Sequence, residues 1–387
     1  MRILQLLGLS TGGIGSHVGR LTTELRGLGH DVVVATDRST MTHFGWPDAR
    51  PLWPFGSLRA LARAPLEWHL IMRLASTVDV VHAHGQQAAV VAAVAVLRAR
   101  PRPRLVVTLH NEVPATGPGA KALRWALRRA DLVTGASEDL VRAARALGAR
   151  RAELSTVVSP RVQGLLAEPD MSATAAASDS AAAPHVAGTD RSWAAEAARR
   201  RRDLLESVGL APPHDRPLVL TVSRIAPQKD LDTLVAAAEA LTEPATWVVV
   251  GGGDEQLRRR LEAEVSGIPV VFVGERRDVE TWLRAATVLV LTSRWEARAL
   301  VVQEAMAAGV PVVVPEVGGL PGLVGDAGVL VPPGDAAVIA AAVDELLRTP
   351  ARRAALGAAG RLRAQTWETP EDEARQWVVR YESLTRS

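Results

Sequence analysis

Two glutamates in the stretch Leu289 to Pro315, Glu296 and Glu304, stand where they could act on a ligand. The apolar run Val288 to Leu291 reads as a buried parallel strand, Thr292 to Glu296 as a polar turn, and Leu300 to Ala308 as a helix that Gly309 and Pro311 stop. Such a unit sets the helix N-terminus at the carboxyl edge of a sheet, where unbonded N–H groups and the helix dipole attract phosphate. Glu296 lies on the loop. Glu304 follows Ala297 by seven positions, so at about 3.6 residues per turn it points to the face that Ala297 opens. Carboxylates accept hydrogen bonds from paired hydroxyls, so the arrangement suits a nucleotide sugar, with a polyol at each end and a diphosphate between. A glutamate inside a helix is ordinarily a surface residue. Glu304 is flanked by Val301, Val302, Ala305, Met306 and Ala307, and a charge in so apolar a helix argues for a role.

Cations stand at the end of another strand. Leu218 to Val222 leads into Ser223-Arg-Ile-Ala-Pro-Gln-Lys-Asp230, which puts Arg224 and Lys229 five residues apart at a carboxyl edge. There they can neutralise a departing diphosphate, although a solvated loop would carry the same residues. Lys229 is one of only two lysines in a chain whose basic residues are otherwise arginine, which suggests a site wanting a compact charge. After the strand Thr246 to Val250, Gly251 and Gly252 could admit a base and ribose or only make a turn. Gly12, Gly13 and Gly15, after the first strand, resemble a phosphate cradle but miss the dinucleotide fingerprint. A tight turn and a loop admitting an acceptor or diphosphate both stay open. His82, His84 and His110 fall at the ends of two strands; no third ligand or converging carboxylate is evident beside them, so no metal is expected. His110, in Thr108-Leu-His-Asn-Glu112, is best placed to touch a sugar.

The elements that must hold these residues alternate from the start. Ile3 to Leu7, Asp31 to Ala35, Val78 to Val81, Leu105 to Leu109, Leu132 to Thr134 and Leu154 to Val158 read as strands with helices between, beginning with Ser16 to Leu28. This α/β pattern spells a parallel, doubly wound sheet, and it recurs in the second half. The expected division is a Rossmann-like acceptor domain at 1–165, a flexible Ala/Ser-rich insertion at 166–200 and a Rossmann-like nucleotide-sugar domain at 201–369, the two facing across a cleft. Trp193 to Ser207, with four consecutive arginines, reads as a helix with a solvated face.

With 387 residues, 48% of them hydrophobic, the chain can bury two cores. The net charge of +3 is dispersed and no basic stripe carries interleaved aromatics, so nucleic acid is not expected. Without cysteine there are no disulfides or thiolate sites. Met1 leads directly into a strand, and the longest apolar run, Ala88 to Leu97, is far short of the roughly 20 residues that span a bilayer, so a cytoplasmic protein is expected. Between Thr40 and Leu74, Trp46, Trp53, Phe55 and Trp68 alternate with Arg50, Arg59, Arg63 and Arg73, and Leu58 to Leu74 reads as a basic amphipathic helix interrupted by Pro65. Such a segment suits peripheral contact with an anionic membrane at the inner face of the cell, as does Lys121 to Arg129 with Trp125; packing on its own domain explains the aromatics equally well.

Taken in order, Ser223-Arg…Lys229, Gly251-Gly-Gly-Asp, Ser293-Arg-Trp-Glu…Glu304-Ala-Met-Ala-Ala-Gly-Val-Pro and Gly328 to Asp335 resemble the retaining glycosyltransferases of family 4, of the GT-B fold. The first half agrees through Gly12-Gly-Ile-Gly-Ser-His-Val, Gly29-His-Asp-Val, His82-Ala-His-Gly, Thr108-Leu-His and Ala136-Ser-Glu. The resemblance implies a nucleotide-diphosphate sugar bound in the second domain, an acceptor in the first, which could be lipid-linked or of the cell envelope, and transfer with retained configuration and no metal. Carried over residue by residue, Arg224 and Lys229 hold the diphosphate, Glu304 the ribose, Glu296 the transferred sugar's hydroxyls and His110 the sugar from the other side. Arg298, Ala299 and Leu300 complete the donor edge, and a last helix, Pro370 to Leu384, crosses back to the first domain. Three departures fall at that edge: Ala297-Arg298-Ala299 replaces Gly-Phe-Gly, Gly322 a glutamate, and Ser159-Pro-Arg-Val an Asn-Gly-Val-Asp segment. They imply an altered donor, with Arg298 meeting an acidic sugar or an extra phosphate. A GT-B protein that binds a nucleotide, glycan or partner without transfer is the alternative; a nicotinamide enzyme lacks its fingerprint.

Overall fold

The computed structural model describes residues 1–55, 58–114, 116–167, 199, 201–210, 216–265 and 267–386. Most of the Ala/Ser-rich insertion lies outside these, as do residues 193–198 and 200 of the helix read at Trp193 to Ser207; residues 199 and 201–207 are described and are helical. The chain forms two compact units, one of Met1–Pro160 with Glu368–Ser387 and the other of Arg161–Trp367. The helix Val162–Ala167 belongs to the second unit, so the first ends five residues earlier than the expected 165, and Leu166 and Ala167 are helical rather than part of the insertion.

The first unit holds seven parallel strands, β1 (Arg2–Leu7), β2 (Asp31–Thr36), β3 (Arg50–Pro51), β4 (Val80–His84), β5 (Arg104–Leu109), β6 (Leu132–Gly135) and β7 (Ala152–Leu154), in the order β3-β2-β1-β4-β5-β6-β7. β7 stops where the expected strand Leu154 to Val158 would begin, because its partner β6 ends at Gly135 and the ladder has nothing further to pair with. The helix after β1 starts at Gly13 rather than Ser16, so the glycine loop is its first turn. Leu58–Ala75 is one helix with Pro65 inside: the proline forfeits one backbone bond without ending the helix, and Ile71 and Ala75 anchor the following turns in the core.

The second unit holds β8 (Leu218–Val222), β9 (Thr246–Val250), β10 (Val270–Gly274), β11 (Val288–Val290), β12 (Val312–Pro315) and β13 (Val329–Val331), parallel, in the order β10-β9-β8-β11-β12-β13. Alternate residues enter different cores. Leu218, Leu220, Val248, Leu289 and Val312 pack on one face, and Val219, Trp247, Val249, Val288 and Val313 on the other. Burial on both faces is why these strands read as unbroken apolar runs. Each sheet reverses direction once, between β1 and β4 and between β8 and β11, and ligands of such sheets bind at the carboxyl ends of those strands.

The helix Pro370–Thr385 covers one face of the first sheet, with Ala374, Trp377, Tyr381 and Leu384 against Ile3, Val32, Val80, Val106 and Leu132. A capping box starts it: the Thr369 hydroxyl accepts from the Asp372 amide and the Asp372 carboxylate from the Thr369 amide.

Candidate functional site

In the second unit the loops after β8 and β11 are laced together. The Arg294 amide donates to the Gln228 carbonyl at 2.9 Å, the Gln228 side chain to the Trp295 carbonyl at 2.8 Å, and the Thr292 hydroxyl to the Lys229 carbonyl at 2.8 Å. Asp230, in the left-handed region at φ 50°, is held there by bonds from the Thr233 hydroxyl and the Arg294 guanidinium. The lacing brings the Lys229 ammonium onto the Glu296 carboxylate, which also accepts from Ser293 Oγ at 2.7 Å. Lys229 and Glu296 are both largely buried, whereas Arg224, on the same loop, is exposed. The helix that follows, Leu300–Ala307, begins at Ala299 with no side chain capping its first amides. Arg298 stands half-buried in front of it. Glu304 is 3% exposed and meets Arg161, whose Nη1 lies 3.3 Å from Oε1 and 3.5 Å from Oε2.

Glycines make this geometry. A Cβ on Gly251 would stand 1.8 Å from the Ser223 carbonyl oxygen and one on Gly253 2.3 Å from that of Ile225, so only glycine lets this loop lie along the one bearing Arg224. Gly252 is not so constrained: its Cβ would be in ordinary contact with Glu275. Gly318, at φ +55°, would put a Cβ 1.9 Å from the Glu296 carbonyl oxygen, to which the Gly319 amide donates at 2.8 Å. Gly318→Ala is therefore expected to displace Glu296 and weaken ligand binding at least tenfold, whereas Gly322→Ala, at an exposed helical position with open space around it, should leave binding unchanged and raise the melting temperature slightly; calorimetry on both variants is the check.

The first unit gathers the histidines. His84 Nε2 bonds the Gln5 side-chain oxygen at 2.6 Å and its Nδ1 meets His110 Nε2 at 3.1 Å. His82 lies between Thr108 and Tyr381, at 2.6 and 2.7 Å. His17 is the third imidazole that the sequence did not reveal: it offers a nitrogen within 4.8 Å of those of His84 and His110, and its Nδ1 is 3.5 Å from Glu373. Burial lowers the His17 pKa to about 4 and raises that of Glu373 to about 8, so their contact is between neutral groups rather than ions. Burial also holds His82, His84 and His110 well below the usual histidine range. Beside His84 a pocket of about 250 Å³ opens at the ends of β1 and β4, lined by Gly8, Leu9, Ser10, Gln86 and Asn111 among others.

Gly15 has a packing duty: a Cβ there would stand 2.1 Å from the Phe44 ring, so this glycine admits an aromatic side chain rather than a ligand. Gly12 and Gly13 begin the same helix and belong to the first unit, whereas Arg224, Lys229, Gly251, Gly252, Glu296 and Glu304 share the second. Trp46 stacks on Phe44, and Trp53 is buried against Phe55, which in turn meets Trp68, so packing on their own unit accounts for the aromatics of this segment. The side chains of Arg59 and Arg63 lie outside the described residues. Sequence reasoning missed Arg161, Ser293, His17, Gln5 and Glu373. His17, Ser293 and Arg161 fell inside quoted segments without being given a role, whereas Gln5 and Glu373 lay in no quoted motif.

Residues 11–160 match the family described as Glycosyltransferase Family 4, and residues 206–363 the family described as Glycosyl transferases group 1. A D-inositol 3-phosphate glycosyltransferase of Xylanimonas cellulosilytica is 41% identical over 174 residues, 42% of this chain and 41% of that protein. The sulfoquinovosyl transferase SQD2 of Arabidopsis thaliana is 32% identical over 161 residues, 40% of this chain and 31% of that protein. Each match thus spans less than half the length of the relative. Among solved structures, Anabaena Alr3699/HepE in complex with UDP-glucose superposes with a TM-score of 0.78 at 21% identity, over 99% of this chain and 100% of that one. A sucrose-phosphate synthase from Thermosynechococcus elongatus does so with a TM-score of 0.74 at 23% identity, over 98% of each chain.

Proposed function

The chain belongs to the family 4 glycosyltransferases of the GT-B fold, and on that premise we propose that it moves a sugar from a nucleotide-diphosphate sugar to an acceptor with retention of configuration. The Lys229–Glu296 pair at the β8/β11 reversal, beside an uncapped helix N-terminus, carries this reading. Glu304 takes the ribose hydroxyls, Arg224, Lys229 and the first amides of the helix at Ala299 and Leu300 take the diphosphate, and Glu296 orients hydroxyls of the transferred sugar. Gly251 and Gly252 form the turn that sets Arg224. Transfer needs no enzyme nucleophile: as the glycosidic bond to phosphate breaks, the leaving phosphate oxygen takes the acceptor hydroxyl's proton, and the acceptor oxygen bonds the anomeric carbon on the same face. Arg298 suits a donor whose sugar carries an anion.

The acceptor lies in the first unit, at the pocket beside His84, with His110 nearby. Ser10, Gln86 and Asn111 offer hydrogen bonds to a polyol, and Leu9, 69% exposed, offers an apolar rim suited to a lipid-linked one. Contact with an anionic membrane would accompany such an acceptor. Among the described residues no helix is long and apolar enough to cross a membrane. We assign no resident metal to the donor site, where Arg224 and Lys229 can meet the diphosphate charge.

A thermal-shift screen against UDP, GDP and ADP and their conjugates with neutral and acidic sugars, with EDTA present, tests the whole reading. One nucleotide is expected to raise the melting temperature in wild type and not in Glu304→Ala, with no loss to the chelator. Silence with every nucleotide would transfer the case to a GT-B protein that binds a glycan or partner without transfer.

A further inference from the structure

Glu304 stands in a very apolar setting. Val302, Ala305 and Met306 of its own helix are fully buried. An ionised carboxylate there needs a cation aimed at it. Arg161 is such a cation: one guanidinium nitrogen spans both carboxylate oxygens, at 3.3 and 3.5 Å, while Nε faces Glu280 at 4.0 Å. The two backbones that carry this contact are fastened together. Val162 and Leu165, just after Arg161, share a core with Val302, Ala305 and Met306. The buried Arg361 guanidinium donates to the Leu165 and Leu166 carbonyls at 3.1 and 2.6 Å and to the Ala307 carbonyl at 2.9 Å, tying the helix Val162–Ala167 to the end of Leu300–Ala307. Arg161 also falls in the Ser159-Pro-Arg-Val stretch, where this chain departs from its family's pattern.

We propose that Arg161 is a positioning residue for nucleotide recognition: it holds the Glu304 carboxylate turned so that its remaining lone pairs face the paired hydroxyls of the donor ribose. The proposal rests on Glu304 being the ribose acceptor. A carboxylate offers about four lone-pair directions, and a guanidinium nitrogen shared by both oxygens fixes the plane in which the others lie. Lysine supplies the charge without the planar fork, so it should restore only part of the orientation.

The test is calorimetric titration of wild type, Arg161→Met and Arg161→Lys with the responding nucleoside diphosphate and its 2′,3′-dideoxy analogue. Wild type is expected to prefer the ribonucleotide by about 10- to 100-fold, the range of hydrogen bonds to a charged group. Arg161→Met should collapse that ratio toward one while leaving the dideoxy affinity within about twofold, and Arg161→Lys should fall between. A ratio unchanged in either variant, or tighter ribonucleotide binding by Arg161→Met, would overturn the positioning role and leave Glu304 as the ribose acceptor. Equal binding of the two nucleotides by wild type would remove that assignment itself, and the proposal with it. Arg161→Lys keeps the charge beside Glu304, so the ratio remains measurable if Arg161→Met does not fold.

Discussion

Lys229→Ala is expected to lower turnover of the nucleotide-sugar donor by about 10²–10³-fold, the range seen when one preorganised group facing transition-state charge is removed. The same change should cost about 3 kcal/mol of stability, the low end for breaking a buried pair, because Lys229 and Glu296 keep 14% and 11% of their side-chain surface. Glu296 would be left charged and largely buried, with Ser293 Oγ still donating to it. The two losses are separable. In Lys229→Met with Glu296→Gln no lone charge is buried, so stability should recover while turnover stays low. Urea unfolding beside initial rates decides the matter: a double variant that turned over like wild type would reduce the pair to a staple between two loops.

The pH dependence of stability should peak near about pH 7 and decline on both sides, for opposite reasons. Unfolded histidines take up protons below about 6.5, and buried His17, His82, His84 and His110 resist doing so, so stability climbs as pH rises to that value. His17 alone, with its pKa lowered from 6.5 to about 4, is worth on the order of 3 kcal/mol. Glu373 has the opposite sign. Its pKa is raised from 4.5 to about 8, so across that window the native chain keeps a proton the unfolded chain has lost, and stability falls as pH rises. Unfolded histidines are still half-protonated at 6.5, so the four together outweigh it up to about pH 7; above that its effect prevails and removes on the order of 1 kcal/mol. Glu373→Gln should abolish the alkaline decline and leave the acid limb in place. Thermal unfolding at intervals from pH 5 to 9 is the measurement, and an alkaline decline that persisted in the variant would show that Glu373 is not its source.

Local patterns were legible wherever one rule governed them. Leu218–Val222 and Thr246–Val250 are strands with the very bounds their apolar runs announce, and the glutamates of the central stretch fall on a loop and a helix as their spacing requires. Among the donor-site candidates, Glu304 stood out as a charge in an apolar helix, and Arg224, Lys229 and Glu296 as charges in loops at the carboxyl ends of strands. Their partners did not, because an ion pair between Arg161 and Glu304 joins residues 143 apart and leaves no local trace. Gly15 and Gly251 look alike in sequence, yet one admits the Phe44 ring and the other a backbone carbonyl; only tertiary contacts separate them. The end of β7 depends on where its neighbour β6 stops, which no window around Leu154 contains.

The C-terminal cover of the first sheet also orders events in time. Residues 1–160 leave the ribosome about two hundred residues before Trp377 and Tyr381, which close one face of their core and supply the hydroxyl that His82 bonds. At about 5–20 residues per second that is an interval of roughly 10–40 s. Through it the second unit has time to form as a contiguous stretch, whereas the first, although synthesised earlier, waits half-clothed for its final helix. The order of completion is thus the reverse of the order of synthesis, and nascent-chain chaperones would find their longest-lived target in the half of the protein that is made first.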